Sequence, residues 1–416
     1  MSEDFSRRSI LKSSLGIPLA GVAMQYATDE VAAADDDSTL PADEYAALRS
    51  RWADLLTGGS IDQTKAKYDD ALATLDQDTQ EYQNTIETDP TDRLWSDLPI
   101  PADASSNHSE GNLTNSYNRL MRMAQAYQTE GSAFEGDSSL VSDIVTGLDF
   151  LYNRLYNEDQ SQFGNWWHWE IGAPMQLMGI CTLLYSDLTS TQVTNYTNAV
   201  ATHVDSPYEY TFYDHPTGGA NRVDESIITA LRGILTKTDS TIALARDCIQ
   251  DSNIFQHQTA SSGNGLYPDG SYVYHKAVPY IGTYGAILFG GLSELFTILG
   301  GSSWELTGVD RDVIYEAVGD AVSPFMYKGL MMDAVSGRSI SREGQSDHTR
   351  GHAMTGTVLQ MANFVPEPYA TEFKELAKGW IENDTYDSFI SDAEVTDIAN
   401  AEAVLEDSSI TAASEP

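Results

Sequence analysis

Residues 165–174 read NWWHWEIGAP, which sets Trp166, Trp167 and Trp169 around His168 and beside Glu170. Neighbouring residues on a helix point about 100° apart, so three tryptophans this close cannot all enter one core. At least one is expected to be exposed or to line a groove, and one is expected in the core. A flat apolar face with an N–H at its edge is suited to holding a sugar ring.

Three further stretches carry polar groups that can do chemistry. TGGANRVDES (217–226) places two glycines before Asn221 at a helix start. Asn there is either an N-cap or an amide that binds an anion with help from the helix dipole. DGSYVYHKAVPYIGTYGAILFGGL (269–292) holds His275 and Tyr284, with Tyr272, Tyr274 and Tyr280 nearby. A lone His is most often structural, but a His and a Tyr at the mouth of a cleft can act together as acid–base groups. SGRSISRE (336–343) sets Arg338 and Arg342 four residues apart in a chain with 15 arginines. Arginine grips carboxylates and sulfates in a fork, so the pair fits an acidic ligand, the alternative being pairing with acidic neighbours.

These groups need a frame, and helical periodicity dominates from residue 41 onward. Helices are expected near 42–56, over the stretch from Ser60 (capped by Ser60 with Gln63), and near 112–128, 138–156, 171–185, 190–203, 222–235, 239–250, 278–299, 310–325, 348–362, 368–381 and 392–406. Strand-like alternation is scarce. Long connections at about 204–221, 251–277 and 326–347 carry Gly, Asp, Ser, His and Tyr, and loops of that length in a compact domain are usually functional. The expectation is an all-α fold: an incomplete α/α toroid of roughly ten to thirteen helices with a cleft across one mouth. Cys181 and Cys248 sit in apolar helical patterns and are read as buried thiols or as one disulfide.

Sixty-two acidic residues against 23 basic ones give a net charge of −39. Such a surface repels nucleic acid and anionic membranes. It suits concentrated salt, where the Debye length shrinks to roughly 3 Å at 1 M; the reading is a halophilic protein, an ordinary acidic secreted one being the alternative. SRRSILK, starting at Ser6, has the twin-arginine export pattern, followed by a short apolar stretch and a small-residue AAA at 32–34. The expected layout is a signal peptide over 1–34, an acidic linker over 35–40, one domain over 41–410 and a tail over 411–416. The destination is extracellular. No other segment is expected to span a membrane, and no motif calls for a metal or another cofactor. N-x-[ST] sequons occur at Asn107, Asn112, Asn195 and Asn383.

In order and content, NWWHWEIG, TGGANRVDES, DGSYVYHKAVPYIGTYG and GRSISR resemble the α-domain of polysaccharide lyase family 8, the hyaluronate, chondroitin AC and xanthan lyases. The resemblance runs from about Leu94 to about Ile410. It implies a toroid with a long cleft, and cleavage of uronic-acid polysaccharide by β-elimination without a cofactor. It implies that Asn221 neutralises the uronate carboxylate and that His275 and Tyr284 are the catalytic pair. Arg338 and Arg342 serve the site, and Trp166 and Trp167 position the chain. Trp169 and Tyr280, in the same stretches, complete the expected substrate-binding set. The family usually continues into β-sandwich domains that wall the cleft and contribute a Glu, whereas this sequence stops at DSSITAASEP. The expected partners are therefore an acidic polysaccharide and a separate β-sandwich chain, without which the activity is expected to be weak. Two other classes compete: an α/α-barrel glycoside hydrolase using a carboxylate pair such as Glu170 and Asp224, and a binding module without turnover.

Overall fold

The structure is a computed structural model, and it describes residues 43–62, 64–100, 109–259 and 263–414. The signal segment, the acidic linker, Gln63 and the Asn107 sequon lie outside the described residues.

Helices carry the fold. Among the described residues there are fourteen α-helices and only short strands. Their starts follow local chemistry. Asp137 caps helix Ser138–Arg154 by accepting the N–H groups of Ser139 and Leu140. Thr189 and Gln192 close a capping box on helix Ser190–His203. Helix Ala173–Leu183 is apolar all round and buried along its whole length, with a proline in its first turn. Helix Gly219–Thr236 packs on helices Asp239–Gln250, Ala173–Leu183 and Ala286–Leu299, and so runs through the middle of the core. Trp52, Trp95, Trp169, Tyr117 and Tyr156 are the bulky residues of that core. The architecture is the expected incomplete toroid.

Three differences from the sequence reading matter for the site. The second helix starts at Asp69, after a short 3₁₀ turn Ala66–Tyr68, and not at Ser60. The loop before Tyr284 holds a three-stranded antiparallel sheet, Gly265–Leu266, Tyr272–Tyr274 and Val278–Pro279, too short to show alternation. The long helix expected from 278 breaks into that last strand, a π-helical turn Ile281–Gly285 and helix Ala286–Leu299. Ile281–Leu299 is long and apolar enough to cross a membrane, but it is mostly buried inside the protein, as in a core helix. Cys181 and Cys248 are buried free thiols.

Candidate active site

Two π-helical turns present the chemistry. His168–Gly172 follows Trp166 and Trp167, and Ile281–Gly285 holds Tyr284. Each feeds directly into a buried helix, and π-turns of this kind are frequent where a backbone must aim a side chain.

At the first turn the tryptophans separate. Trp166 and Trp167 are half-buried at the surface. Trp166 meets Tyr210 edge-on at 4.7 Å and Tyr213 at 6.2 Å. Trp167 covers Gly172, where a Cβ would come within 2.6 Å of its ring. Trp169 is fully buried and donates its indole N–H to the Phe163 carbonyl at 2.8 Å. It is the core member of the three, which corrects its place in the expected substrate-binding set. Glu170 is also fully buried and accepts the N–H groups of Thr211 at 3.1 Å and Phe212 at 2.7 Å. It ties the 204–216 loop to the aromatic turn, and its burial does not suit a hydrolytic carboxylate that must reach a substrate. Burial lifts the Asp224 carboxyl to about 8.

At the second turn a cluster of rings forms around Tyr284. Tyr274 stacks on it at 4.3 Å, His275 meets it edge-on at 5.0 Å, and Tyr280 meets it edge-on at 5.0 Å. His275 starts the three-residue loop between strands Tyr272–Tyr274 and Val278–Pro279, and it has a φ of 47°, with Lys276 at 72°. Two consecutive left-handed non-glycine residues mark a strained loop of the kind found at functional sites. The imidazole is exposed, and its pKa is lowered by partial burial and by the Arg338 charge.

The arginine segment closes over the same tyrosine. Arg338 donates from Nη2 to the Tyr284 hydroxyl at 3.3 Å and from its backbone N–H to the Tyr280 hydroxyl at 3.1 Å. Gly337 permits this approach: its φ is 53°, and a Cβ there would collide with the Tyr280 ring. Tyr280 is 2% exposed. Its role is to hold the Arg338 backbone, so it too leaves the expected substrate-binding set. Thr283 donates to the Ser336 carbonyl at 3.1 Å, a second tie between the tyrosine turn and this segment. Arg342 follows at the end of the 3₁₀ turn Gly337–Ser341, half-buried.

Asn221 is held by Tyr210, which the sequence reading did not single out, and the start of its helix is held by Tyr274. Its Nδ2 donates to the Tyr210 hydroxyl at 2.8 Å. Asn221 lies inside helix Gly219–Thr236 and does not cap it; Gly218 holds that position. Gly219 has a φ of 54°, and a Cβ there would come within 2.6 Å of the Tyr274 ring, whose hydroxyl donates to the Gly218 carbonyl at 3.0 Å. Burial pushes the Tyr210 phenol up to about 12, against the lowering hydrogen bond from Asn221. Tyr210 therefore links the amide to the Trp166 platform, and Tyr274 links the helix start to Tyr284. The one sequence signal for Tyr210 was its place in an aromatic-rich long loop.

Residues 52–379 match the family model for the N-terminal alpha-helical domain of polysaccharide lyase family 8. The chain belongs to that family. This family 8 chain is 35% identical to a hyaluronate lyase of Thermasporomyces composti over 99% of its own length and 50% of the relative's. Its fold superposes on a Paenibacillus xanthan lyase with a TM-score of 0.82 at 34% identity, covering 90% of this chain and 34% of that one. A Streptomyces coelicolor chondroitin AC lyase in complex with chondroitin sulphate gives the same TM-score, 0.82, at 34% identity, covering 90% of this chain and 50% of that one. The family 8 chain thus spans about half the length of the curated hyaluronate lyase it matches.

Proposed function

We propose that this chain cleaves uronic-acid-containing polysaccharide of the hyaluronan, chondroitin or xanthan type by β-elimination. The observation that carries the reading is the convergence of His275 and Arg338 on Tyr284, beside a helix start that offers Asn221. The names of the relatives support the substrate class: hyaluronate lyase, xanthan lyase, and a chondroitin AC lyase holding chondroitin sulphate.

The residue types suit the chemistry. The C5 proton of a uronate is a poor acid because the adjacent carboxylate is already negative. Asn221 spends one N–H on Tyr210 and keeps the other for that carboxylate. Neutral His275 adds an N–H without a charge that Arg338 would oppose. Both hydrogen bonds strengthen as negative charge builds on the carboxylate. The Tyr284 oxygen, which accepts from the Arg338 guanidinium, takes the C5 proton. The C4–C5 double bond forms, the C4–O bond breaks, and the same phenol returns the proton to the departing glycosidic oxygen. Trp166 and Trp167 hold the neighbouring sugars on their faces.

The same proposal covers setting and partners. The chain leaves the cell folded by the twin-arginine route and works in concentrated salt, where its −39 charge no longer repels an anionic polymer over any distance. Cleavage is strongest when a separate β-sandwich polypeptide is present. The test is a panel of hyaluronan, chondroitin sulphate, xanthan and a neutral glucan in high salt, followed as absorbance of the unsaturated product, with and without a relative's β-sandwich part. Absorbance growing on a uronate polymer and not on the glucan supports the reading. New reducing ends without absorbance would replace it with hydrolysis.

A further inference from the structure

Helix Asp347–Met361 carries His348 and His352 four residues apart, so both imidazoles leave one face. Asp384 meets them from the C-terminal cap of helix Tyr369–Asn383. Its Oδ2 lies 3.0 Å from His348 Nδ1 and 2.9 Å from His352 Nε2. Its Oδ1 accepts the N–H groups of Tyr386 and Asp387, both at 3.0 Å, which aims Oδ2 at the two rings.

The cluster is enclosed. His348 is 5% exposed and His352 9%, and the Asp384 side chain is 1% exposed. Tyr386 lies over His348 at 4.8 Å, and Phe389 meets His352 edge-on at 5.5 Å. The hairpin between strands Met326–Tyr327 and Leu330–Met331 shuts a further side, because a Cβ on Gly329 would collide with Asp384 Oδ2. Two imidazoles share one carboxylate oxygen, and His352 Nδ1 is buried with no partner.

We propose that His348 Nδ1, His352 Nε2 and Asp384 Oδ2 form a binding site for a divalent cation of the zinc class. The three ligand atoms all lie within 4.8 Å of one another. Bonds of about 2.0–2.1 Å at tetrahedral angles set ligand atoms about 3.3 Å apart, so small shifts seat the ion and leave one position for water. Two imidazole nitrogens and one carboxylate oxygen suit Zn²⁺, Co²⁺ or Ni²⁺, not the all-oxygen cages of Ca²⁺ or Mg²⁺. Histidines at i and i+4 on one helix are a recurrent way to hold zinc.

The ion would pin helix Tyr369–Asn383 to helix Asp347–Met361, on which the Met326–Met331 hairpin packs. The segment bearing Arg338 and Arg342 is strung between that hairpin and that helix, so both of its ends would be anchored. Binding itself does not depend on the lyase reading.

The experiment uses the full chain, stripped with a chelator and titrated with Co²⁺ and then Zn²⁺ at about 1 M salt, where surface carboxylates are screened. The expected result is one equivalent of Co²⁺ with the strong visible absorption of a four-coordinate site, displaced by one equivalent of Zn²⁺. His352→Gln and Asp384→Asn should each weaken binding by more than the roughly 10–100-fold typical of an outer-shell change, while His215→Gln should not. Should His352→Gln fail to fold by circular dichroism, the near-isosteric Asp384→Asn decides. Weak octahedral-type absorption that ignores these substitutions, or no retained ion, would overturn the site and leave a hydrogen-bonded clamp.

Discussion

The ring of Tyr274 stacks on that of Tyr284 with centroids 4.3 Å apart and planes 15° from parallel. Tyr274 is itself fixed, its hydroxyl donating to the Gly218 carbonyl at 3.0 Å. A strand residue thus sets the plane of the candidate base, and the start of helix Gly219–Thr236 sets the strand residue. Amide and phenol are held by one continuous set of contacts.

That coupling makes Gly219 a sensitive position. An alanine there meets a φ of 54° and places its Cβ 2.6 Å from the Tyr274 ring. Gly219→Ala should cost about 1 kcal/mol or more of stability from the backbone alone. It should also lower kcat by displacing Tyr274 from Tyr284, while Gly218→Ala, with open space around its Cβ, should do far less. Denaturant titration and turnover on one uronate polymer measure both effects.

Asn221→Ala removes the amide meant for the carboxylate, and a loss of about 10²–10³ in kcat is expected for one such donor. Tyr210→Phe keeps the amide and removes only its 2.8 Å partner, so the loss should be smaller and concern positioning. The two together should lose scarcely more than Asn221→Ala alone. Additive losses in that cycle would separate Tyr210 from the amide.

Trp166→Ala should raise KM and leave kcat nearly intact if, as proposed, its ring holds sugars away from the reacting carbon. Trp169→Ala should behave differently. It empties the core and should destabilise the chain by about 3–5 kcal/mol, with solubility and melting as the readouts.

Stability should weaken towards acid pH through His203. The ring is buried between Tyr156 at 4.7 Å and Trp169 at 5.0 Å, and burial lowers its pKa from 6.5 to about 4. The folded chain keeps this group neutral where the unfolded chain protonates it. Its contribution is therefore complete above pH 6.5 and is lost as pH falls towards 4, by at most about 3 kcal/mol. His203→Gln should flatten that part of the stability profile, whatever its effect on stability at neutral pH.

Much of this was legible in the sequence. Helices Ser190–His203 and Asp239–Gln250 were read to the residue because their apolar spacing is regular, the first also carrying a capping box. Three of the four motifs marked Asn221, His275, Tyr284 and Arg338, and contacts in space join the last three. Other features had no local signal. The strand carrying Tyr274 is three residues long, too short for alternation to register. The π-turn before helix Ala286–Leu299 has the same apolar pattern as the helix it leads into. Trp169 differs from Trp166 only in which way the turn faces it, and Tyr210 acquires its role from a residue eleven positions away. The two histidines and Asp384 escaped notice because their juxtaposition depends on two helices meeting.

The central claim is that the Tyr284 phenol moves the proton. Tyr284→Phe keeps the ring, and with it the stacking on Tyr274, and removes only the hydroxyl. Measured side by side, binding of a uronate oligosaccharide should be preserved while formation of the unsaturated product falls by about 10²–10⁴-fold. Product forming at the parent rate in Tyr284→Phe would contradict the account.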